Sequence, residues 1–256
     1  MSGGQPDKLI AAALSRLDKI RRQNALDPND PESTPTPAQW EVIHDFGKVL
    51  IQWIAAANRS GKSQTCARLI GWALTDSHPT WKVPQAWKDE GMLILIAART
   101  GKHLEESLWP KIRGCLEPGS YKEVRIGNIL QKVEFLDGSK NRIIFQSLEN
   151  PNTARERLQS YDAHIAWMDE LVDLPSLISE LSLRVSTKGG CFMASFTPLM
   201  PAPAVKRMVD SAAMPLAKKY LFKTLDNPVF RDENKRALLL ASLAGLSQED
   251  IDTRLN

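Results

Sequence analysis

Cysteine is scarce in this sequence: Cys66, Cys115 and Cys191 are the only three in 256 residues. They are odd in number, far apart and without metal-ligand spacing. That excludes a disulfide framework or a zinc ribbon and leaves reduced structural thiols in a cytosolic setting. Histidine is almost as sparse, and His44, His78, His103 and His164 show no ligand spacing either. No apolar run approaches the ~20 residues that a helical membrane span needs. No signal-peptide pattern opens the chain, so no membrane partner is expected. Neither sign of charge dominates: 33 Lys and Arg against 30 Asp and Glu give a formal net charge of +3. That balance is compatible with a polyanionic partner and argues for none. There is no internal repeat and no low-complexity tract. What is present is 43% hydrophobic and 25% charged residues, the composition of a soluble globular chain that can bury a sizeable core.

Along the chain, DKLIAAALSRLDKIRRQN (residues 7–24) has the spacing of an amphipathic helix whose basic face is either solvated or in contact with DNA or a neighbour. DPNDPESTPTP (27–37) must be an extended linker. AQWEVIHDFGK resumes helical periodicity. Strands and helices then alternate. VLIQWIAAA (49–57), GMLILIAA (91–98), AHIAWMDE (163–170) and GCFMASFTP (190–198) read as buried strands. SQTCARLIGWALTD, HLEESLWPKI and LPSLISELSLRV read as helices between them. KVEFLDGSKNRIIFQSL (132–148) reads as a hairpin turned at Asp137-Gly138. From about residue 204 the pattern is mainly helical, interrupted at DNPVF. Such alternation predicts a mostly parallel α/β sheet with helices on both faces. The seven tryptophans fall mostly on apolar faces, which favours core packing over base stacking.

AAANRSGKSQT (55–65) joins a strand to a helix and closes as GxxxxGK(S/T) loops do, although Ala56 stands where the first Gly is usual. In such a loop, backbone N–H groups and the helix N-terminus cradle phosphates. Gly61 lets the backbone approach, Lys62 can reach the β- and γ-phosphates, and the Ser63 hydroxyl can ligate Mg²⁺. Ala57, Asn58, Arg59, Ser60 and Gln64 complete the candidate ATP-binding stretch, with Asn58 and Arg59 able to add side-chain donors. The bland alternative is a chance Gly-Lys-Ser in a turn. HIAWMDE ends a buried strand in Asp169-Glu170, a pair that can divide the work of holding Mg²⁺ (Asp169) and activating water (Glu170). A strand can also simply end in two acids. FMASFTP puts Ser195 and Thr197 at another strand end, where a polar residue either senses the γ-phosphate or merely satisfies backbone groups.

In this order the motifs resemble the ATPase domain of a tailed-bacteriophage terminase large subunit. PTPAQWEVI is similar to the family's adenine-binding segment, with Gln39 on the adenine edge, and AANRSGKS to its P-loop, which often departs from Gly at the first position. SLENPNTARERLQSYDAHIAWMDE resembles the stretch leading into the acidic strand, and LSLRVSTKGGCFMASFTP the Arg-bearing helix and coupling motif. YLFKTLDNPVF is similar to the family's Asp-Asn-Pro segment. The resemblance spans residues 35–230. Ser160 stands where Gly is usual, and Leu171 where Glu or Ala is.

The resemblance implies a P-loop NTPase of RecA/ASCE type. Residues 1–34 would form an N-terminal helix and linker, 35–203 the ATPase core, and 204–256 a small helical lid or linker subdomain. The family's nuclease domain would be absent. It further implies an ATP- and Mg²⁺-dependent motor that drives double-stranded DNA into a prohead in the host cytoplasm. The expected partners are the portal protein, the small terminase subunit and further copies of the chain in a pentameric ring. Arg59 would act in cis and Thr197 would couple hydrolysis to movement. Arg155 would serve a neighbour's site as a finger, with Arg99, Arg157 and Arg184 as other candidates. A salt-bridged surface role is the alternative for each. Two other functions fit the same motifs: a helicase-like ATPase that remodels nucleic acid, and an ATP-binding assembly module that does not hydrolyse.

Overall fold

A chain carrying several short, continuous apolar runs must cover both faces of one sheet to bury them. The computed structural model does this with eight strands. It describes residues 14–15, 34–57, 59–170, 175–197, 203–211, 216–245, 247, 251–252 and 255. The helix expected at 7–24, like most of the segment 1–34, lies outside the described residues. The strands are β1 (Ile51–Ala56), β2 (Leu93–Ala98), β3 (Tyr121–Ile126), β4 (Ile129–Phe135), β5 (Arg142–Ser147), β6 (Ile165–Asp169), β7 (Cys191–Phe196) and β8 (Ala217–Phe222). Their order in the sheet is β3-β4-β5-β2-β6-β7-β1-β8. From β5 to β8 every pairing is parallel, and β3 and β4 add an antiparallel hairpin at one edge.

Helices cover the two faces. On one lie α1 (Pro37–Asp45), α2 (Lys62–Leu74), α3 (Gln85–Glu90) and α4, which runs from Gly101–His103 through a π turn at Leu104–Leu108 into Trp109–Arg113. The π turn sits where Pro110 lacks a backbone donor and would crowd the carbonyl four residues back, so the helix widens there and continues. On the other face lie α5 (Pro151–Leu158), α6 (Pro175–Ser186) and α7 (Pro203–Asp210). Strand alternation feeds both layers: Ile54 and Ala56 join the first core, Trp53 and Ala55 the second. Trp53, Trp72, Trp109 and Trp167 are among the largest fully buried side chains, as the apolar pattern predicts. All three cysteines are buried thiols outside any disulfide.

Two strands depart from the sequence reading. β8 falls in the stretch read as mainly helical and pairs in parallel with β1. It is an edge strand: Tyr220 and Phe222 are buried while Lys219 and Leu221 are exposed. A half-wet strand of this kind lacks the continuous apolar signal of β1 or β2, and with it the sheet extends past residue 203. β3 is not expected from the sequence either; it is another edge, none of whose residues is fully buried. The predicted hairpin is present as β4 and β5. Its turn is wider than two residues, with Gly138 at φ 82° and Ser139 N–H donating to Asp137 Oδ1 at 2.9 Å.

Beneath α1 and α2 sits an aromatic group in which His78, 2% exposed, stacks on Phe46 and meets Trp72 and Trp81 edge-on. Its Nδ1 accepts from the backbone N–H groups of Thr80 and Trp81 at 3.2 and 3.1 Å. Burial, reinforced by the charges of Lys48 and Lys82, pushes the imidazole down from 6.5 to about 4. Because the folded pKa lies below the unfolded one, the unfolded chain binds the extra proton between these values. Stability therefore falls as pH drops through that window. We expect a loss of about 2 kcal/mol from this group between pH 7 and 5, at ~1.4 kcal/mol per unit, read as a lower urea midpoint. His164 is shifted the same way and His103 the opposite way. His78→Asn, which keeps an acceptor near Nδ1, isolates the contribution, and an unchanged pH slope in that variant would refute it.

Candidate active site

All six parallel strands end at one edge, and the crevice beyond that edge is where open α/β sheets bind ligands. β7 lies between the strand that leads into the P-loop and the strand that ends in Asp169. This insertion brings Ser195 and Thr197 between the two motifs, with Ser195 in register with both Ile54 and Asp169.

The loop itself is set by two left-handed residues, Arg59 (φ 60°) and Gly61 (φ 88°), the latter capping α2. A side chain at 61 would be strained, and its Cβ would lie 2.7 Å from Gln39 Nε2. Ala56, the departure from the usual motif, is the last residue of β1 and is extended and buried, so a glycine's freedom is not needed there. Asn58 lies outside the described residues. Ser60 is buried and Gln64 exposed. The first helical bond back to the loop is Thr65 N–H to Gly61 O at 2.9 Å. The amides of the preceding turn therefore have no intrahelical acceptor and carry the positive end of the helix dipole.

Gln39 reaches this loop through a capping box. Thr36 Oγ1 accepts from Gln39 N–H at 3.2 Å, and Gln39 Oε1 accepts from Thr36 N–H at 2.9 Å. The remaining end of its carboxamide, Nε2, donates to Ser60 O at 3.2 Å.

Four predicted residues converge. Lys62 Nζ donates to Thr197 Oγ1 at 2.9 Å. Ser63 Oγ lies 3.3 Å from both carboxylate oxygens of Asp169, which is 1% exposed. Burial holds Lys62 below its ordinary pKa, against the opposing charges of Asp169 and Glu170. An ammonium in such surroundings is short of solvation and is well placed to receive an anion. Glu170, exposed at φ 57°, turns the chain off the sheet edge.

Two further groups hold Asp169. Ser195 Oγ donates to Oδ1 and itself accepts from Trp167 Nε1 at 2.8 Å. His103 Nε2 lies 2.9 Å from Oδ2, a hydrogen bond that raises the imidazole above its ordinary pKa. The sequence reading assigns His103 no role. The available signal is its place just after β2, but only the strand order reveals that β2 is the neighbour of β6, with Ala98 beside Asp169.

The arginines divide. Arg59 is exposed on the loop. Arg155 on α5 lies 3.8 Å from Glu180 on α6, and Arg184 pairs with the same carboxylate at 2.8 Å. This cluster is packed on the sheet face opposite α2, so neither arginine is gathered around Lys62 of its own chain. Arg99 and Arg157 are exposed.

Whether Mg²⁺ suits the site depends on its donors. A hydroxyl and a carboxylate are hard oxygen ligands, few in number. That matches an ion that keeps several waters and takes phosphate oxygens as further ligands. Among the described residues no group of three or more His, Cys, Asp and Glu forms a dedicated cage.

No protein-family model matches the sequence, and no curated protein is significantly similar to it. Solved structures are similar. The large terminase of a thermophilic bacteriophage is 15% identical with a TM-score of 0.60, the match covering 79% of this chain and 49% of that one. The same protein in complex with ADP gives 16%, 0.61, 80% and 49%. The large terminase ATPase domain of Thermus phage P74-26 is 14% identical with a TM-score of 0.61, covering 87% of this chain and 92% of that domain. The chain thus spans about half of the first protein and nearly all of the Thermus phage domain. At this level of identity the likeness concerns architecture: the chain has the α/β fold of phage large terminase ATPase domains.

Proposed function

We propose that the chain is the ATP-hydrolysing motor domain of a viral large terminase, which drives double-stranded DNA into a prohead. The observation that carries this reading is the convergence of Lys62, Thr197, Ser63 and Asp169 at one sheet edge, with Glu170 beside them. Loop amides and Lys62 bind the phosphates, with Arg59 adding charge from the loop's rim. Gln39 sits against Ser60, where it can also meet the adenine edge. Ser63 and Asp169 would hold Mg²⁺, which when bound would neutralise charge on the phosphates. Glu170 orients the attacking water and takes its proton. Thr197, touching Lys62, passes the change to β7 and the segment beyond it.

The same reading brings with it the further partners: DNA, portal protein, small terminase subunit and neighbouring copies in a pentameric ring in the host cytoplasm. Arg155, which lies beside Glu180 on the face opposite α2, would act on a neighbour's γ-phosphate and not on its own.

Phosphate release from Mg²⁺-ATP by the purified chain tests the assignment. Turnover per chain should rise with protein concentration and with double-stranded DNA, and Asp169→Asn should abolish it. Equal release from both proteins would favour a non-hydrolysing assembly module. Stimulation by single strands alone would favour a helicase-like ATPase.

A further inference from the structure

Arg59 is a bulky, charged residue in the left-handed backbone conformation that L-residues adopt reluctantly, and the loop's geometry depends on it. Something must hold it there. Asn227, 168 residues away in sequence, donates from Nδ2 to the Arg59 carbonyl at 2.5 Å. Its orientation is fixed from the other end: Oδ1 accepts from Val229 N–H at 3.1 Å, capping the 3₁₀ turn Pro228–Arg231. The amide therefore has its nitrogen, and not its oxygen, towards the loop.

The surrounding contacts give this bond its effect. Just upstream, Ala57 N–H donates to Phe222 O at 3.0 Å, so the chain leaving β8 runs beside the loop from its first residue. Phe222, Thr224, Pro228 and Phe230 are buried and anchor that segment. On the other side Gln39 holds Ser60 O. Two successive loop carbonyls are thus each tied outward by a carboxamide from a distant element. Because a peptide unit is planar and trans, its N–H points opposite to its C=O. Tying Arg59 O turns Ser60 N–H back towards Ala57 O, the 3.3 Å bond that closes the turn. Tying Ser60 O likewise turns Gly61 N–H away from Gln39.

We propose that Asn227 is a positioning residue of the nucleotide site, holding Arg59 in the left-handed conformation on which the loop's cradle depends. This rests on reading the Lys62–Asp169 crevice as the nucleotide site. An unclamped arginine populates that conformation only in small part, and apparent affinity falls by the competent fraction. Glycine populates it about as readily as the right-handed one, so a glycine at 59 should make the clamp nearly redundant.

Asn227→Ser keeps a capping oxygen for Val229 and adds no charge, but its hydroxyl is too short to reach Arg59 O. Two measurements are made on the whole chain. The first is hydrogen exchange of the nucleotide-free protein in peptides covering 59–63, which should rise roughly tenfold in the variant, as expected for loss of about 1.4 kcal/mol, with the peptides of β2 and β6 unchanged. The second is the affinity for a fluorescent ATP analogue. It should fall roughly tenfold on Asn227→Ser in the native background and about twofold or less in an Arg59→Gly background. Unchanged exchange at 59–63, or the same loss of affinity in both backgrounds, would overturn the proposal. If the unmodified chain binds no nucleotide, the functional reading fails, and the exchange measurement alone still decides whether the clamp exists.

Discussion

Lys62→Ala is expected to lower ATP hydrolysis by roughly 10² to 10³-fold, the loss typical of removing one preorganised donor to developing charge. It should leave the nucleotide-free fold intact. The two halves of this expectation have one cause. The ammonium is half-buried, its charge disfavoured by burial, and its hydrogen bond to Thr197 Oγ1 at 2.9 Å replaces only part of its hydration. Removing it takes away a poorly solvated charge, so the melting temperature without nucleotide should stay level or rise. Asp169 keeps its bonds from Ser195 and His103 in the variant and is not left bare. With a bound triphosphate the balance reverses, because the same under-solvated cation then gains phosphate oxygens in place of its lost hydration. Phosphate release measured beside thermal melting, each with and without nucleotide, separates the effects. Hydrolysis unchanged by the substitution would remove Lys62 from the site. A collapse of the apo melting temperature would make it a structural residue.

What could be read from the sequence follows from what leaves a local trace. β1, β2, β6 and β7 are covered on both faces and therefore appear as unbroken apolar runs. The candidate phosphate loop is legible because Gly61, Lys62 and Ser63 follow one of these runs and open a helix. The edges are not legible: β3 and β8 are half wet, and Lys218-Lys219-Tyr220-Leu221 resembles a strand only once β1 is known to lie beside it. The same limit applies inside the site. Asp169-Glu170 could be proposed from its strand end, whereas His103 and Asn227 could not be assigned their contacts. Those contacts depend on which strands are neighbours, and β2-β6-β7-β1-β8 is not the order of the chain. Ala56 is the instructive case. It departs from the motif, yet the residues with left-handed backbone are Arg59 and Gly61, and Ala56 only ends a strand.

Glu170→Gln should separate binding from chemistry. Glutamine has nearly the same shape and carries no different backbone cost at φ 57°, so stability and the site's architecture should be preserved. Asp169, the buried partner of Ser63, Ser195 and His103, is untouched by the change. Affinity for ATP should stay within about threefold, or improve as one negative charge leaves the neighbourhood of the phosphates. The rate of hydrolysis should fall roughly 10² to 10⁴-fold, the range for losing a positioned general base. Asp169→Asn provides the contrast, since it removes the proposed metal ligand and should weaken Mg²⁺-dependent binding as well as turnover. The pattern discriminates because adjacent residues on one strand end are assigned different tasks: one faces inward and is held by three side chains, the other is exposed and turned off the edge. If Glu170→Gln kept a native turnover rate, water activation would have to come from another group, and the division of labour within the acidic pair would be wrong even with Lys62 and Asp169 correctly placed.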